Sequence, residues 1–318
     1  MLRNTNSASR RARPAPRACR THGARRAPVW ALSAALAVSA AQAAPPAHIT
    51  VQGERIFPES LTSTSDGTVI IGSIGQHAIY RAPPGSSLAV QWIKPATDGI
   101  QSILGVLSDD ASDTLWACSN SIGPPQQGSP PPRAMLYTFD LKTGAPKGHY
   151  PFPAQGSLCN DISIGPDGTA YATDTTNMEV VRLKKGAAQL DEWVGNGAFG
   201  PRSGAVDGLV VLDGRVIVGT LDQPLARPDG IRRFGQNGLL LAEGGSGGRL
   251  SRVMLNGNTG TETVLKQGFP DGPVAVTVVG TTAYLLEGQL ASFMHRGPPD
   301  PAAKPKPFRA TAIEVGSP

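Results

Sequence analysis

Three side chains that carry oxygen donors recur at the same place in a repeated sequence pattern. Glu59 and Asn160 each lie eight residues before a turn glycine, and Asp207 lies seven residues before another. If these repeats close into a ring, equivalent positions point at one axis, so the three side chains converge there. Two carboxylates and one amide oxygen suit a hard divalent cation, with Ca²⁺ first and Mg²⁺ or Mn²⁺ as alternatives; Zn²⁺, also considered, usually takes His or Cys. The alternative is that these residues only hydrogen bond to neighbouring turns.

A fourth carboxylate, Asp271, occupies the corresponding place in the last repeat, within FPDGPVAV. It is therefore a candidate for an additional carboxylate or a proton acceptor at the same axis. In the second repeat the corresponding place falls near Gly105, which offers no side chain, and Asn120 is the polar alternative there. A covalent serine mechanism is disfavoured, because no G-x-S-x-G motif occurs with Asp and His partners.

The elements that would position these residues are repeated strand pairs. Each unit is an alternating strand, a tight turn and a second alternating strand, and three turns contain Asp-Gly, where glycine supplies a positive φ. A third strand follows each unit, over 77–85, 134–144, 178–186, 248–260 and 307–316. This pattern predicts an all-β fold, and a β-propeller rather than a β-sandwich, because a sandwich gives no reason for units to align end to end. The five readable units are FPESLTSTSDGTVIIGSI (57–74), ILGVLSDDASDTLWACSN (103–120), LCNDISIGPDGTAYATDT (158–175), AVDGLVVLDGRVIVGTL (205–221) and FPDGPVAVTVVGTTAYLLEG (269–288).

The segment ITVQGERI (49–56) has no partner next to it in the sequence. We expect it to pair with the C-terminal strands and close the ring, which removes exposed sheet edges. A degenerate sixth unit is expected around 86–102 or 187–204. The segments 121–133 and 222–247 are rich in glycine and other turn residues, and we interpret them as insertions, either specificity loops or loops of no consequence.

The N-terminal segment has the pattern of an export signal. Residues 1–28 hold eight arginines and no acidic residue, an apolar run follows at 29–40, and Ala41-Gln42-Ala43 ends it. This pattern predicts a signal peptide over 1–43, a single propeller domain over 44–318, and a periplasmic or secreted protein. The alternative is a retained membrane anchor, although the apolar run is shorter than the roughly 20 residues that a spanning helix needs.

Charge and cysteine content change once the leader is removed. The whole chain has 29 Lys and Arg against 24 Asp and Glu, and the loss of eight leader arginines leaves 21 against 24. No basic cluster interleaved with aromatics remains, so we expect no nucleic-acid partner. Two cysteines remain, Cys118 and Cys159, which either pair in an oxidising compartment or stay as free thiols.

At these repeats the sequence resembles the senescence marker protein/gluconolactonase (regucalcin-like) family. The similarity spans roughly 57–290 and is best in LCNDISIGPDGTAYATDT and AVDGLVVLDGRVIVGTL. It implies a six-bladed propeller whose channel holds a divalent metal through a Glu of the first blade, an Asn that opens an Asn-Asp strand and an Asp that opens an Asp-Gly strand. The matching residues are Glu59, Asn160 and Asp207. A further channel Asn of the family has no counterpart, because the position falls near Gly105.

The resemblance implies a metal-dependent hydrolase that opens a lactone or a related ester. The metal would polarise the carbonyl and activate water, and Asp207 or Asp271 would accept the proton of that water. The alternative is a non-catalytic propeller that binds a metal or a small ligand, since propellers host many unrelated roles. A small-molecule substrate is the expected partner, and no stable membrane insertion is expected after signal cleavage.

Overall fold

The computed structural model describes residues 44–122, 133–199, 206–212, 214–220, 225–245, 247–257, 259–294 and 305–318. Strands dominate these residues, which confirms the predicted all-β class. Besides short 3₁₀ turns at Thr97–Gly99, Asp110–Ser112 and Asn196–Ala198, the described part of the chain has one helix, α1 (Leu290–Met294). Within these residues no helix combines the length and the apolar character that crossing a membrane requires.

The described strands follow one another in short antiparallel hairpins. The first nine are β1 (His48–Val51), β2 (Pro58–Ser63), β3 (Val69–Ser73), β4 (Ala78–Ala82), β5 (Leu88–Ile93), β6 (Ser102–Asp109), β7 (Thr114–Asn120), β8 (Met135–Asp140) and β9 (Pro146–Pro151). The next six are β10 (Cys159–Ile164), β11 (Ala170–Asp174), β12 (Glu179–Leu183), β13 (Asp191–Val194), β14 (Val206–Leu212) and β15 (Arg215–Thr220). The last seven are β16 (Pro228–Phe234), β17 (Gly238–Glu243), β18 (Arg249–Asn256), β19 (Thr259–Gln267), β20 (Pro273–Val279), β21 (Thr282–Glu287) and β22 (Arg309–Glu314).

Hydrogen bonding divides these strands into antiparallel groups that run from an inner to an outer strand. Four groups are β2–β5, β6–β9, β10–β13 and β16–β19, and β14 pairs with β15. The remaining group runs β20, β21, β22 and then β1, and a short parallel contact of β1 with β5 joins it to the first group in one eight-stranded sheet. The inner strands are therefore β2, β6, β10, β14, β16 and β20.

Each inner strand contacts the next one, and β20 contacts β2, so the inner strands form a closed ring. This arrangement confirms the predicted β-propeller. The predicted closure by the segment after the leader is also confirmed, because β1 pairs with β22, with Ile49 opposite Ala310. The six-blade count stays a prediction, because the β14–β15 group has two strands among the described residues.

Three predictions about the repeats were wrong. Residues 222–247 are not simply an insertion, because they contain β16 and β17, while 86–102 and 187–204 contain β5 and β13, the outer strands of other groups. The strand at 248–260, assigned to the fourth unit, is β18 and pairs with β17. The alternation of apolar and polar residues in β16 is obscured because Arg232, a charged residue, is largely buried and pairs with Asp161. The ten residues 123–132 of the other predicted insertion lie outside the described residues.

The apolar faces of neighbouring groups make the core. Separate clusters fill the spaces between groups, for example Ile70, Ile79 and Leu115 between the first and second, and Leu240, Leu250 and Leu285 between β16–β19 and β20–β22. Burial of these aliphatic side chains contributes most of the folding free energy, at about 25 cal/mol per Å² of apolar surface. This packing between groups fixes the orientation of each inner strand relative to the ring axis.

A disulfide joins two neighbouring groups next to the candidate site. Cys118 in β7 and Cys159 in β10 are bonded, with their Cα atoms 5.2 Å apart. Asn120 strengthens the same junction, since its side-chain amide donates to the Cys159 carbonyl at 2.8 Å and its amide oxygen accepts from the Cys159 N–H at 2.9 Å. Asn120 is therefore used between the groups and does not reach the axis as the sequence interpretation suggested.

We expect the Cys118→Ser/Cys159→Ser variant to be less stable by about 3 kcal/mol, because the bond closes a loop of 41 residues in the unfolded chain. Denaturant unfolding with and without reductant measures this loss, and reductant should affect only the wild type. Thiol titration of the unreduced, unfolded mature protein should find no free thiol, and two free thiols would contradict the assignment.

Candidate metal centre

A β-bulge near the start of each inner strand sets the direction of the candidate site residues. In β2, Pro58 pairs with Ser73 and Leu61 with Ile71, so two residues of β2 lie opposite one residue of β3. The same irregularity occurs in β6, β10, β14 and β16, and a one-residue shift occurs in β20. Bulges of this kind turn a side chain out of the sheet alternation and are common beside active sites. The first bulge residues are Glu59, Leu104, Asn160, Asp207, Asp229 and Val274.

Three of these bulge residues bring carboxylates together at the axis. One carboxylate oxygen from each of Glu59, Asp207 and Asp229 lies within 4.8 Å of the others. Glu59 is buried and the two aspartates are half-buried. The fourth polar bulge residue, Asn160, lines the same small cavity and donates from Nδ2 to Thr175 Oγ1 at 3.0 Å. The cavity measures about 10 Å³, which is room for a single water or ion.

Glycine at the second bulge position allows adjacent strands to approach. A Cβ on Gly208 would lie 2.1 Å from the Asp229 carbonyl oxygen, and one on Gly230 would lie 2.8 Å from the Val274 carbonyl oxygen. Each Asp-Gly pair at a strand start therefore supplies a site carboxylate and a contact with the next strand. Gly105 has the same role, since a Cβ there would lie 2.2 Å from the Asn160 carbonyl oxygen. The axial position of β6 is thus Leu104, one residue earlier than predicted.

Burial and neighbouring carboxylates disfavour the charged form of the three cluster residues. Burial, followed by the charges of Asp207 and Asp161, raises the pKa of Glu59, and Arg232 acts in the opposite direction. Burial and the Asp161 charge raise the pKa of Asp207 to about 7, while the Asn160 amide lowers it. Burial and then the charges of Asp207 and Glu59 raise the pKa of Asp229. A bound cation would favour the charged form of all three groups.

The donor set fits a hard divalent cation. Asp207 Oδ1 is buried and has no hydrogen-bond partner among the described residues, which is costly for a carboxylate oxygen without a ligand. Three carboxylates with an amide oxygen are ligands that Ca²⁺, Mg²⁺ and Mn²⁺ accept, and in the described part of the chain no histidine or cysteine lines the cavity to favour Zn²⁺. Glu59, Asn160, Asp207 and Asp229 are the residues that would hold such an ion.

A buried ion pair lies deeper in the ring, beside the carboxylates. Arg232 is three residues beyond Asp229 along β16, and its Nη1 lies 2.9 Å from Asp161 Oδ2. Arg232 Nη2 also approaches the Val106 carbonyl at 3.5 Å, while Asp161 Oδ2 accepts from the Leu209 N–H at 3.1 Å. One arginine thus connects strands β6, β10 and β16. Its guanidinium is the positive charge nearest to the cluster along this side.

The structure brings together the predicted residues Glu59, Asn160 and Asp207 but not Asp271. Asp271 lies three residues before Val274, which holds the axial position of β20, and its carboxylate pairs with Lys306 at 2.7 Å. The structure does not place Asp271 in the cluster, as a carboxylate or as a catalytic base, because Asp271-Gly272 precedes β20, whereas Asp207-Gly208 lies within β14. Sequence reasoning missed Asp229, although it precedes a glycine at a strand start as Asp207 does.

Comparison with known proteins supports the fold and leaves the chemistry open. No family model matches the chain, and no curated protein is similar to it. The PQQ-bound aldose sugar dehydrogenase of Streptomyces coelicolor is similar in structure, with TM-score 0.54 and 16% identity over 85% of this chain and 100% of that one. A luciferin-regenerating enzyme gives TM-score 0.53 and 12% identity over 86% and 97%. A catalytically inactive variant of virginiamycin B lyase from Staphylococcus aureus, solved with quinupristin, gives TM-score 0.51 and 15% identity over 76% and 95%.

We expect Asp229→Asn to stabilise the metal-free protein, and more at pH 8 than at pH 5. The raised pKa values mean that the folded cluster binds more protons than the unfolded chain, so stability falls as the pH rises from the ordinary aspartate value through about 7. Replacing Asp229 with asparagine removes one carboxylate charge and so reduces this loss of stability. Thermal unfolding in EDTA at both pH values measures the effect, expected at a few degrees (about 3–6 °C) at pH 8.

Asp271→Asn is the matched control for this variant, because Asp271 has a cationic neighbour outside the cluster. It should give no stabilisation at either pH. A loss of stability in Asp229→Asn at pH 8 would show that the carboxylate repulsion inferred from the geometry is absent.

We expect Arg232→Met to cost about 3–5 kcal/mol, because it leaves Asp161 buried without its partner. The double variant Asp161→Asn/Arg232→Met should recover part of that loss. Arg233→Met, which alters the exposed neighbour, should change the free energy of unfolding by less than about 0.5 kcal/mol. Denaturant unfolding gives all three values, and equal losses in the single and double variants would exclude the ion pair as the cause.

Proposed function

We propose that this chain is an exported, metal-dependent hydrolase of the gluconolactonase type, which opens a lactone or a related ester with activated water. The observation that carries the proposal is the convergence of Glu59, Asp207 and Asp229 within 4.8 Å, with Asn160 beside them, at one end of a propeller ring. Hard oxygen donors around a cavity of single-ion size favour Ca²⁺, with Mg²⁺, Mn²⁺ or Zn²⁺ as alternatives.

The ion would act as a Lewis acid on the substrate carbonyl and would lower the pKa of a water molecule. Glu59, Asn160 and Asp229 have the role of fixing its position. Asp207 is the favoured proton acceptor because its Oδ1 has no other partner among the described residues and could therefore accept the proton of a water beside the ion. The Asp161–Arg232 ion pair connects strands that carry the site residues.

The structural relatives support a small-molecule enzyme on this fold without choosing the reaction. Their names describe a sugar dehydrogenase, a lyase and a luciferin-regenerating enzyme, and at 12–16% identity the likeness concerns the fold alone. The same scaffold carries unrelated chemistries through the residues at its axis. The choice of hydrolysis therefore depends on the carboxylate cluster and on the resemblance of the repeats to the gluconolactonase family.

Export is part of the proposal and depends on the leader at 1–43. A cut after Ala43 removes the arginine-rich segment and leaves β1, which begins at His48, available for ring closure with β22. Export also suits the Cys118–Cys159 bond, since disulfides persist in oxidising compartments.

The second candidate function is a non-catalytic propeller that binds a metal or a small ligand. One observation favours it: among the described residues, the cavity at the cluster measures about 10 Å³ and has no room for a substrate beside an ion. In that case the cluster stabilises the ring and performs no reaction.

The decisive experiment is lactone hydrolysis by the mature protein, 44–318, over a panel of sugar lactones. Activity should disappear in EDTA and return with Ca²⁺. Asp207→Asn should lower kcat by about 10²-fold or more, since it removes the base, whereas Asp271→Asn should retain wild-type activity. Calorimetry of Ca²⁺ binding to the same proteins separates loss of the metal from loss of the base.

Three outcomes have distinct meanings. EDTA-resistant turnover, or full activity in Asp207→Asn, would exclude the mechanism. Ca²⁺ binding without turnover on lactones and phosphoesters would favour the binding propeller. Absence of Ca²⁺, Mg²⁺, Mn²⁺ and Zn²⁺ binding would exclude both metal-dependent functions.

A further inference from the structure

A second cavity, of about 880 Å³, lies at the end of the ring away from the carboxylate cluster. Turns that join first and second strands form much of its wall, including residues 109–114 after β6 and 164–168 after β10, whereas the cluster lies where inner strands begin. The volume is within the roughly 300–1,000 Å³ of small-molecule sites. The two ends of the ring therefore offer spaces of very different size.

One wall of this cavity is apolar and incompletely covered. Trp116, Tyr150 and Ile164 line it, and each is a half-buried side chain that packs on the core between the second and third groups. Trp116 Nε1 is buried and has no hydrogen-bond acceptor among the described residues. Because solvent does not reach this atom, the wall offers a ligand the ring surfaces of Trp116 and Tyr150 rather than the indole N–H.

Cationic side chains also line this cavity. Lys184, Lys185 and Arg233 line the cavity, and none of them forms an ion pair among the described residues. The carboxylates there are occupied locally: Asp109 and Asp167 accept hydrogen bonds from backbone amides of their own turns, at 3.2 and 3.0 Å. The three cations are thus the groups with unused capacity for an anion.

We propose that this cavity is a second binding site, for a small anion with a flat apolar body, such as an aromatic carboxylate. Its ring packs against Trp116 and Tyr150, which favour aromatic partners. Its carboxylate takes charge-assisted hydrogen bonds from Lys184, Lys185 or Arg233. The site is independent of the proposed hydrolysis, because it shares no residue with the carboxylate cluster.

Calorimetric titration of the mature protein with 2-naphthoate in EDTA tests the proposal. We expect saturable binding with Kd below about 1 mM. Lys184→Gln/Lys185→Gln should weaken binding by about tenfold, because two charge-assisted donors are lost. Trp116→Phe keeps an aromatic ring but reduces the aromatic surface under the ligand and should weaken binding by about threefold. The matched controls Lys266→Gln and Trp92→Phe, in other groups of strands, should bind as the wild type does.

Four results would overturn the proposal: no saturable binding to the wild type, equal affinity for the neutral 2-naphthamide, unchanged binding in the double lysine variant, or loss of binding in Asp229→Asn. The last result would place the ligand at the carboxylate cluster. Far-UV circular dichroism of each variant identifies a folding defect, and the lysine pair is solvent-exposed, so its replacement leaves the core intact.

Discussion

Repulsion among Glu59, Asp207 and Asp229 is the interaction that the rest of this structure has to withstand. Their carboxylate oxygens lie within 4.8 Å of one another, and burial together with neighbouring carboxylate charges raises the pKa of Glu59 and Asp229. Both effects favour separation of the strands that carry them. Separation is opposed by ring closure, since β1 is hydrogen-bonded to β22 and every inner strand contacts its neighbours. The Cys118–Cys159 bond and the Asp161–Arg232 pair add local restraints on two sides of the cluster.

The Asp-Gly dipeptide has two different structural uses in this chain. At the far end of the hairpins, as in Asp66-Gly67, glycine takes a φ of 89° and aspartate accepts a hydrogen bond from the turn backbone, so the pair makes a turn. At the start of β14 and β16 the same dipeptide forms a bulge, in which aspartate points to the axis and glycine lets the next strand approach. The strand position decides which use applies.

This double use explains what the sequence could and could not reveal. Alternating strands and turn glycines were sufficient for the propeller, for the closing strand β1 and for the convergence of Glu59, Asn160 and Asp207. Asp229 was missed because the buried Arg232 breaks the apolar alternation of β16, and its burial depends on Asp161 in a distant strand. Asp271 was misplaced by three residues because Asp271-Gly272 lies in the loop before β20, where Gly272 takes a positive φ, and not at the bulge.

The backbone conformation of the residue just before an inner strand limits which residue types can occupy that position without strain. The residue before the inner strand takes a positive φ in three groups: Phe57 at 42°, Arg227 at 57° and Gly272 at 76°. Its carbonyl accepts a backbone hydrogen bond in each, so the fold requires this conformation. Gly272 adopts this positive φ without strain, whereas Phe57 and Arg227 each incur a conformational cost of about 1–3 kcal/mol. Phe57 offsets this by packing on Phe293 and Phe308, with ring centroids 5.2 and 5.3 Å away.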